Sequence, residues 1–180
     1  MRNSTASRSG LWQDSDHCGS CNSMLVIIEN SALSTLQRGK AGRILSRLGD
    51  PRALTALAVV PAGRCILGST CHFNSTPSCQ LSLREFRIGL YPIVNRDFKK
   101  FVLETSRKWQ SPDGFDLEKQ NAPATDLSWY DAISYCNWLT CRWHLSGKIP
   151  LDEHVRLPTE PEWERAARGD LVNDYGPIYP

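Results

Sequence analysis

The segment RLPTEPEWERA, Arg156–Ala166, carries the clearest local structural signal in this chain. Thr159 is a preferred helix N-cap residue, and Glu162 three positions later completes a capping box, in which each side chain binds a backbone N–H of the other residue. Pro161 falls in the first turn, where its missing N–H leaves no hydrogen bond unmade. The segment therefore predicts a short helix that begins after Thr159.

The predicted helix has one candidate inward face and a clear end. Trp163, Ala166 and Ala167 lie at i, i+3 and i+4, so we expect them to point toward the core. Gly169 follows as the C-terminal stop. Upstream, Ser128 and Asp131 form a second capping box, which predicts another helix over residues 128–139.

The inward face of this second helix is predicted from its periodicity. Its apolar side chains recur at helical spacing, and they are Trp129, Ala132, Ile133, Cys136 and Leu139.

Between residues 34 and 102 the pattern changes from helix to strand and back to helix. Residues 34–48 read as an amphipathic helix rich in arginine and lysine. Residues 57–60 and 65–67 are β-prone runs joined by a Pro-Ala-Gly turn, which predicts a hairpin. Residues 80–88 predict a strand with a bulge near Arg84–Glu85.

A third helix is predicted to follow, with Asn95 as its cap and with Phe98, Phe101 and Val102 pointing inward. Residues 106–126 are polar and predict a long loop. Mixed short helices, strands and loops of this kind indicate an α+β fold.

Composition bounds the class of protein. The chain has 180 residues, a formal net charge of +2, 41% hydrophobic residues and six tryptophans, which suits one domain with an appendage. The near balance of charge gives no reason to expect nucleic-acid or membrane-surface binding. The run Met24–Ile28 is too short for a membrane span or a signal peptide. We therefore expect a cytoplasmic protein in which residues 1–33 form a flexible leader.

Seven cysteines offer several readings. An odd count without a secretion signal favours reduced thiols. Cys18 and Cys21 form a C-x-x-C pair, which is half of a zinc site, a redox dithiol or an inert part of the leader. Cys136 is a buried structural thiol or, with Cys141, a redox pair. The remaining group around residues 65–79 matches no metal template, and its members are Cys65, Cys71, His72 and Cys79.

Other polar candidates have simpler structural explanations. His144 and His154 fall in polar segments and are expected to be solvated. Glu160, Glu162 and Glu164 resemble a general-acid cluster. Helix capping and the positive end of the helix dipole explain the first two of these glutamates without catalysis. We assign no catalytic, cofactor-binding or metal-binding residue.

Four blocks of this sequence, in order, resemble the formylglycine-generating-enzyme (sulfatase-modifying-factor) family. They are Val60–Ser69, Phe86–Asn95, Leu127–Leu139 and Arg156–Gly169. One departure is Val94, which stands where the family usually has threonine and so removes a hydroxyl beside the predicted cap Asn95.

The resemblance implies a fold and an activity. The fold would be a loop-rich variant of the C-type-lectin-like architecture. The activity of complete members is the oxidation of a cysteine in a partner sulfatase to formylglycine, with a late cysteine pair, copper and calcium. No position of this chain matches that pair or those calcium sites, so the resemblance implies no copper or calcium ligand here.

Tyr179–Pro180 resembles the start of a turn in the middle of the family's domain. We therefore expect residues 53–180 to be the N-terminal part of such a domain, inactive alone. Residues 34–52 resemble a helical stretch and linker found ahead of this domain in large multidomain bacterial proteins. The alternative function is accordingly a non-catalytic lectin-like binding or signalling module, with a protein or peptide as partner.

Overall fold

A computed structural model describes residues 11–69 and 73–169, with side chains from residue 19 onward. The described residues form a mixed helix and strand structure, which confirms the predicted α+β class. The helices are α1 (Leu11–Glu29), α2 (Thr35–Leu48), α3 (Asn95–Thr105), α4 (Trp129–Leu145) and α5 (Glu160–Arg168). The strands are β1 (Leu57–Val60), β2 (Gly63–Leu67), β3 (Cys79–Leu83) and β4 (Phe86–Gly89).

The chain divides into two compact units. The first contains residues 1–54 and 92–127, and the second contains residues 55–91 and 128–180. Within the described ranges, no helix has both the length and the apolar character that crossing a bilayer requires.

Helix α1 in the first unit differs from the flexible leader predicted for residues 1–33. It packs against α2, where Arg38 donates a hydrogen bond from Nε to the carbonyl of Ile28 (2.7 Å). Cys21 is buried, and its thiol donates to the carbonyl of Gly49 (3.7 Å). The Ser- and Asn-rich composition hid this helix because the packing partner, and not the local sequence, stabilises it.

Helix α2 confirms the predicted amphipathic helix. Ser34 caps it in a capping box with Gln37, and its inner side buries Ala41 and Leu45. Hydrogen bonds with the 106–126 loop help to hold α2 in place. Ser46 donates to the carbonyl of Leu117 (2.8 Å), and the amide of Asn121 donates to the carbonyl of Gly42 (3.1 Å).

Helix α3 and its N-cap each begin one residue earlier than predicted. Val94 holds the N-cap position without a side-chain hydrogen bond, and Asn95 is the first helical residue. The N–H groups of Asn95 and Arg96 donate to backbone carbonyls within residues 120–122 (2.8 Å each). The Asn95 amide donates to the carbonyl of Lys119 (2.8 Å). Asn95 therefore fastens a distant loop and does not cap its own helix.

The inner side of α3 confirms the predicted apolar residues. Phe98, Phe101 and Val102 are all 5% exposed or less. Trp109 meets the ring of Phe98 edge to face at 5.0 Å, and its indole N–H donates to the carbonyl of Thr125 (2.9 Å). Gly114 lies against the Trp109 ring so closely that a side chain there would overlap it.

The strands of the second unit form an antiparallel ribbon, and the predicted hairpin between β1 and β2 is wrong. β1 pairs with β4, and β2 pairs with β3. Val60 lies opposite Phe86, and Gly63 lies opposite Leu83. Two residues on each strand are left unpaired between these positions, so the register continues unchanged and no bulge residue is inserted.

Pro61 explains the interruption of the ribbon, because it has no N–H to donate to the ladder. The buried side also changes there. Before the interruption Val60 is half-buried and Val59 is exposed, whereas after it Cys65 is buried and Arg64 is exposed. The Pro-Ala-Gly segment therefore acts as a break inside one long arm and not as a hairpin turn.

Helices α4 and α5 begin at the predicted capping boxes. α4 is longer than predicted and ends at Leu145, with Tyr135, Cys136 and Leu139 buried. Trp129, expected to point inward, is 63% exposed at its first turn.

The inward face predicted for α5 is wrong. Trp163 is 58% exposed, whereas Glu162 and Arg165 are buried. The reason is that charged side chains can be buried when specific partners satisfy them, and the partners of these two residues lie around the helix.

Candidate functional site

The best-organised polar cluster of the second unit surrounds α5. Arg156 donates two hydrogen bonds to the carboxylate of Glu162, from Nη1 to Oε2 (2.7 Å) and from Nη2 to Oε1 (2.5 Å). Thr159 donates its backbone N–H to the same carboxylate (2.8 Å) and its hydroxyl as well (2.9 Å). The capping box is therefore extended by an arginine that precedes the N-cap by three positions.

The electrostatics of Glu162 follow from these donors. The hydrogen bonds from Arg156, with those from Thr159, lower the pKa of Glu162 from 4.5 to about 2, although partial burial opposes the change. The same contact raises the pKa of Arg156. A carboxyl with so low a pKa stays ionised at neutral pH, so it has no proton to give as a general acid.

Glu164, on the next turn of α5, joins the helix to the ribbon. The backbone N–H of Gly68 donates to both oxygens of its carboxylate (3.1 and 3.2 Å), and Arg168 pairs with it at 3.0 Å. Gly68 has φ +81°, and a Cβ there would overlap the carbonyl oxygen of Ser75. Glycine is therefore required where β2 ends, and its amide reaches a residue 96 positions later in the chain.

Arg165 fills the space between α5 and β2. It is 8% exposed, and its Nη1 donates to the carbonyl of Gly169 (2.7 Å) at the end of the helix. Burial raises the pKa of the nearby Cys65 thiol, while the positive charge of Arg165 acts in the opposite direction. The thiol remains protonated at neutral pH and is a poor nucleophile.

The cluster of Glu160, Glu162 and Glu164 therefore resolves into separate structural roles. Glu162 closes the cap, Glu164 holds the amide of Gly68, and Glu160 is exposed on the first turn. The interpretation of Glu160 and Glu162 as helix-end residues agrees with this arrangement. The roles of Gly68 and Arg165 were missed, because no local pattern indicates which distant residue a glycine amide or a buried arginine will meet.

The described cysteines are all free thiols. Cys21, Cys65 and Cys136 are buried, and Cys79 and Cys141 are exposed. Burial raises the pKa of the Cys136 thiol, as expected for the structural reading of this residue. The side chain of Cys18, together with Cys71 and His72, lies outside the described residues.

Among the residues that the structure describes, no three or more His, Cys, Asp or Glu side chains group together in a way that could hold a metal ion. His144 is not simply solvated, since its Nε2 lies 2.7 Å from the carbonyl oxygen of Glu153. His154 is exposed, as expected.

Two tryptophans of α4 and α5 leave apolar surface exposed. Trp129 and Trp163 are 63% and 58% exposed, whereas Trp138 is partly buried and contacts Tyr135 at 5.5 Å. Trp129 also meets the neighbouring ring of Tyr130 edge to face at 5.3 Å. These exposed rings are available for contact with another molecule.

Comparison with known proteins finds one matching family. Residues 48–177 match the model of the sulfatase-modifying factor enzyme 1-like domain. The formylglycine-generating enzyme of Mus musculus is 27% identical over 171 residues, which cover 68% of this chain and 42% of the relative. The inactive C-alpha-formylglycine-generating enzyme 2 of Mus musculus is 28% identical over 171 residues, covering 69% of this chain and 50% of the relative.

A bacterial relative is similar over a shorter stretch. The formylglycine-generating enzyme of Streptomyces coelicolor is 39% identical over 67 residues, which cover 36% of this chain and 17% of the relative. The chain thus spans half of the length of each mouse relative or less.

Proposed function

Because this chain belongs to the sulfatase-modifying-factor family, we propose that it forms the structural frame of a formylglycine-generating-type domain. We propose that the 180-residue chain does not by itself convert cysteine to formylglycine. Its partner would be a protein or peptide that the frame helps to hold. The fold would be a variant of the C-type-lectin-like architecture.

One observation carries this proposal, namely the use of the family's signature residues in folding contacts. Arg156 and Thr159 are engaged with Glu162, and the backbone of Gly68 is engaged with Glu164. A group that must bind or transfer a proton in a reaction needs access to the reacting atoms. Residues that are hydrogen-bonded to one another in this way support a structural role, and a reaction would need other groups.

The state of the thiols supports the same proposal. A protein thiol acts as a nucleophile or as a metal ligand in its thiolate form. Burial raises the pKa of both Cys65 and Cys136, so these two thiols are less reactive than a solvated cysteine. The low reactivity of these two buried thiols supports the proposed inactivity.

A second candidate, a non-catalytic binding module, is favoured by a specific finding. A Bos taurus relative described as inactive C-alpha-formylglycine-generating enzyme 2 is 27% identical over 200 residues, covering 85% of this chain. The exposed rings of Trp129, Tyr130 and Trp163 would supply contact area for a bound peptide or protein. Both candidates share the frame and differ in whether a reacting centre is ever added to it.

The deciding experiment measures aldehyde on a peptide. The purified chain is incubated with copper, oxygen and a cysteine-containing sulfatase peptide, with the Mus musculus formylglycine-generating enzyme as the positive control. We expect aldehyde, detected with an aminooxy probe and by mass, only with the control enzyme. Aldehyde made by this chain above a peptide-only blank would refute the proposal.

Binding of the same peptide separates the two candidates. Fluorescence anisotropy with the cysteine peptide and with its serine version would show equal binding for a non-catalytic module, because such a module does not use the thiol. The Trp163→Ala variant removes an exposed ring and should weaken that binding. The control is Leu151→Ala, which removes another exposed apolar side chain (84%) outside the helices.

A further inference from the structure

Three cations lie along one side of α2, and all three precede the residues that match the family model. Lys40, Arg43 and Arg47 are spaced at i, i+3 and i+7, and we call them the basic face. Seven residues of α-helix rise about 10 Å, so the three charges form a short line parallel to the helix axis. No acidic residue occurs in the first turn of α2 to offset them.

The basic face is largely unused by the first unit itself. Arg47 makes one ion pair, with Glu118 at 3.4 Å, and the two side chains are 65% and 41% exposed. Lys40 and Arg43 form no ion pair with any other described residue. Exposed pairs of this kind are weak, so the charges remain available to a partner.

The surface around these cations is concave and partly apolar. A shallow depression of about 210 Å³ is lined by the basic face together with Ile44 and Glu118. Leu36 and Ile44 lie one turn before and one turn after Lys40, and they are 63% and 46% exposed. Charged and aliphatic side chains therefore alternate along the same exposed side of α2.

We propose that this side of α2 docks an acidic amphipathic helix of a partner protein. Glutamates at i, i+3 and i+7 of such a helix would match the spacing of the basic face, and an aliphatic residue between them would enter the depression over Ile44. Complementary charge of this kind selects the partner and speeds association. The partner's carboxylates would displace Glu118 from Arg47.

The same observations disfavour a membrane or a nucleic acid as the occupant. A membrane-bound amphipathic helix inserts its apolar face, but Ala41 and Leu45 on the apolar side of α2 are buried inside the unit. Nucleic-acid surfaces combine extended positive charge with stacking aromatics. This surface has three cations, an acidic rim residue and no aromatic side chain.

The test uses the full chain and a fluorescein-labelled helical peptide of about 20 residues, with glutamates at i, i+3 and i+7 and leucines between them. A second peptide with glutamine in place of glutamate is the control ligand. We expect binding of the acidic peptide only, weakening as salt rises from about 0.01 M to about 0.1 M, over which screening shortens from about 30 to about 10 Å.

Three variants make the test specific. The double substitution Lys40→Glu and Arg43→Glu should weaken binding about tenfold or more, because two attractions become repulsions. Glu118→Gln should tighten it about twofold to fivefold by removing the internal competitor. Lys108→Glu makes the same charge change at an exposed residue outside this surface and should leave binding unchanged.

The outcomes separate cleanly once circular dichroism and thermal unfolding show that each variant is folded. Equal peptide binding by the double variant and by Lys108→Glu would overturn the proposal, as would no difference between the two peptides. Stronger association with phosphatidylserine-containing vesicles or with duplex DNA than with the acidic peptide would also overturn it. Loss in the double variant with gain in Glu118→Gln would support it.

Discussion

Replacing Glu162 with glutamine tests whether the charge of its carboxylate stabilises the start of α5. The side chain keeps nearly the same size, but its negative charge is lost, and an amide NH₂ meets the guanidinium of Arg156 or the donors of Thr159. In the native chain these contacts lower the pKa of Glu162 from 4.5 to about 2. The glutamine variant loses all the stability that this ionised carboxylate supplies.

The magnitude follows from the change in pKa. Each pKa unit corresponds to about 1.4 kcal/mol, so a fall from 4.5 to about 2 amounts to at most about 3.5 kcal/mol. The side chain of Glu162 is 12% exposed, but that of Arg156 is 46% exposed, so solvent screening reduces the pair's contribution. We expect the free energy of unfolding to fall by about 2 kcal/mol, or roughly 4–8 °C in Tm for a chain of this size.

Urea and thermal unfolding at neutral pH measure this loss. The matched control is Glu118→Gln, which removes the same charge from an exposed pair with Arg47. We expect the control to change the free energy of unfolding by about 0.5 kcal/mol or less. Equal losses in Glu162→Gln and Glu118→Gln would refute the account of α5 given above.

The dependence on pH gives the same test a second readout. Glu162 has a lower pKa in the folded chain than in the unfolded chain, so its stabilisation is complete above pH 4.5 and is lost as the pH falls toward about 2. The difference in stability between the wild-type chain and Glu162→Gln should therefore shrink over that interval. A difference that stays constant from pH 5 to about pH 2 would contradict the assigned pKa.

Three other predictions concern close packing and thiol access. Gly68→Ala should destabilise the chain by about 2 kcal/mol or more, because its φ of +81° and the approach of a backbone carbonyl both exclude a side chain; unchanged urea unfolding would argue against this. Gly114→Ala should cost about 1–3 kcal/mol, because its Cβ would lie 2.6 Å from Cη2 of Trp109; the fluorescence of that ring should change, and a native-like spectrum and Tm would count against the contact. A maleimide reagent should label Cys141 rapidly in the folded chain and Cys136 only after unfolding, as measured by peptide mass mapping; equal native labelling of the two thiols would contradict the burial of Cys136.

The helix starts were predictable because their signals are local. Ser128 with Asp131 and Thr159 with Glu162 each form a capping box within four residues, and the structure contains both. The inward faces were less predictable. Periodicity assigned Trp163 to the core by its apolar character, whereas Arg165 is buried in its place with a carbonyl partner at the end of the helix.

The pairing of the strands could not be derived from neighbouring residues. The turn-like sequence after Val60 predicted a hairpin, yet the register on both sides of Pro61 belongs to the same long arm. Only the distant strands β3 and β4 determine this, and the sequence pattern carries no signal for their partner. In place of the bulge predicted near Arg84–Glu85, the structure has two unpaired residues, across which the buried side of the strand changes.

The N-cap of α3 also depends on residues that are distant in the sequence. Asn95 was a reasonable cap by residue type, but its side chain is fully buried and bonded to the carbonyl of Lys119. Val94 takes the cap position, where the family's usual threonine would offer a hydroxyl. Carbonyls from residues 120–122 satisfy the first N–H groups of the helix, so the long loop, predicted only as a loop, supplies the cap.

The proposed role of Arg156–Gly169 is to build a frame in a chain that does not by itself make formylglycine. Aldehyde yield on a sulfatase peptide, in the presence of copper and oxygen, measures this most directly. We expect a yield equal to the peptide-only blank while the Mus musculus enzyme converts the same peptide. Aldehyde formation by the purified chain that disappears on substitution of one of its cysteines would contradict it.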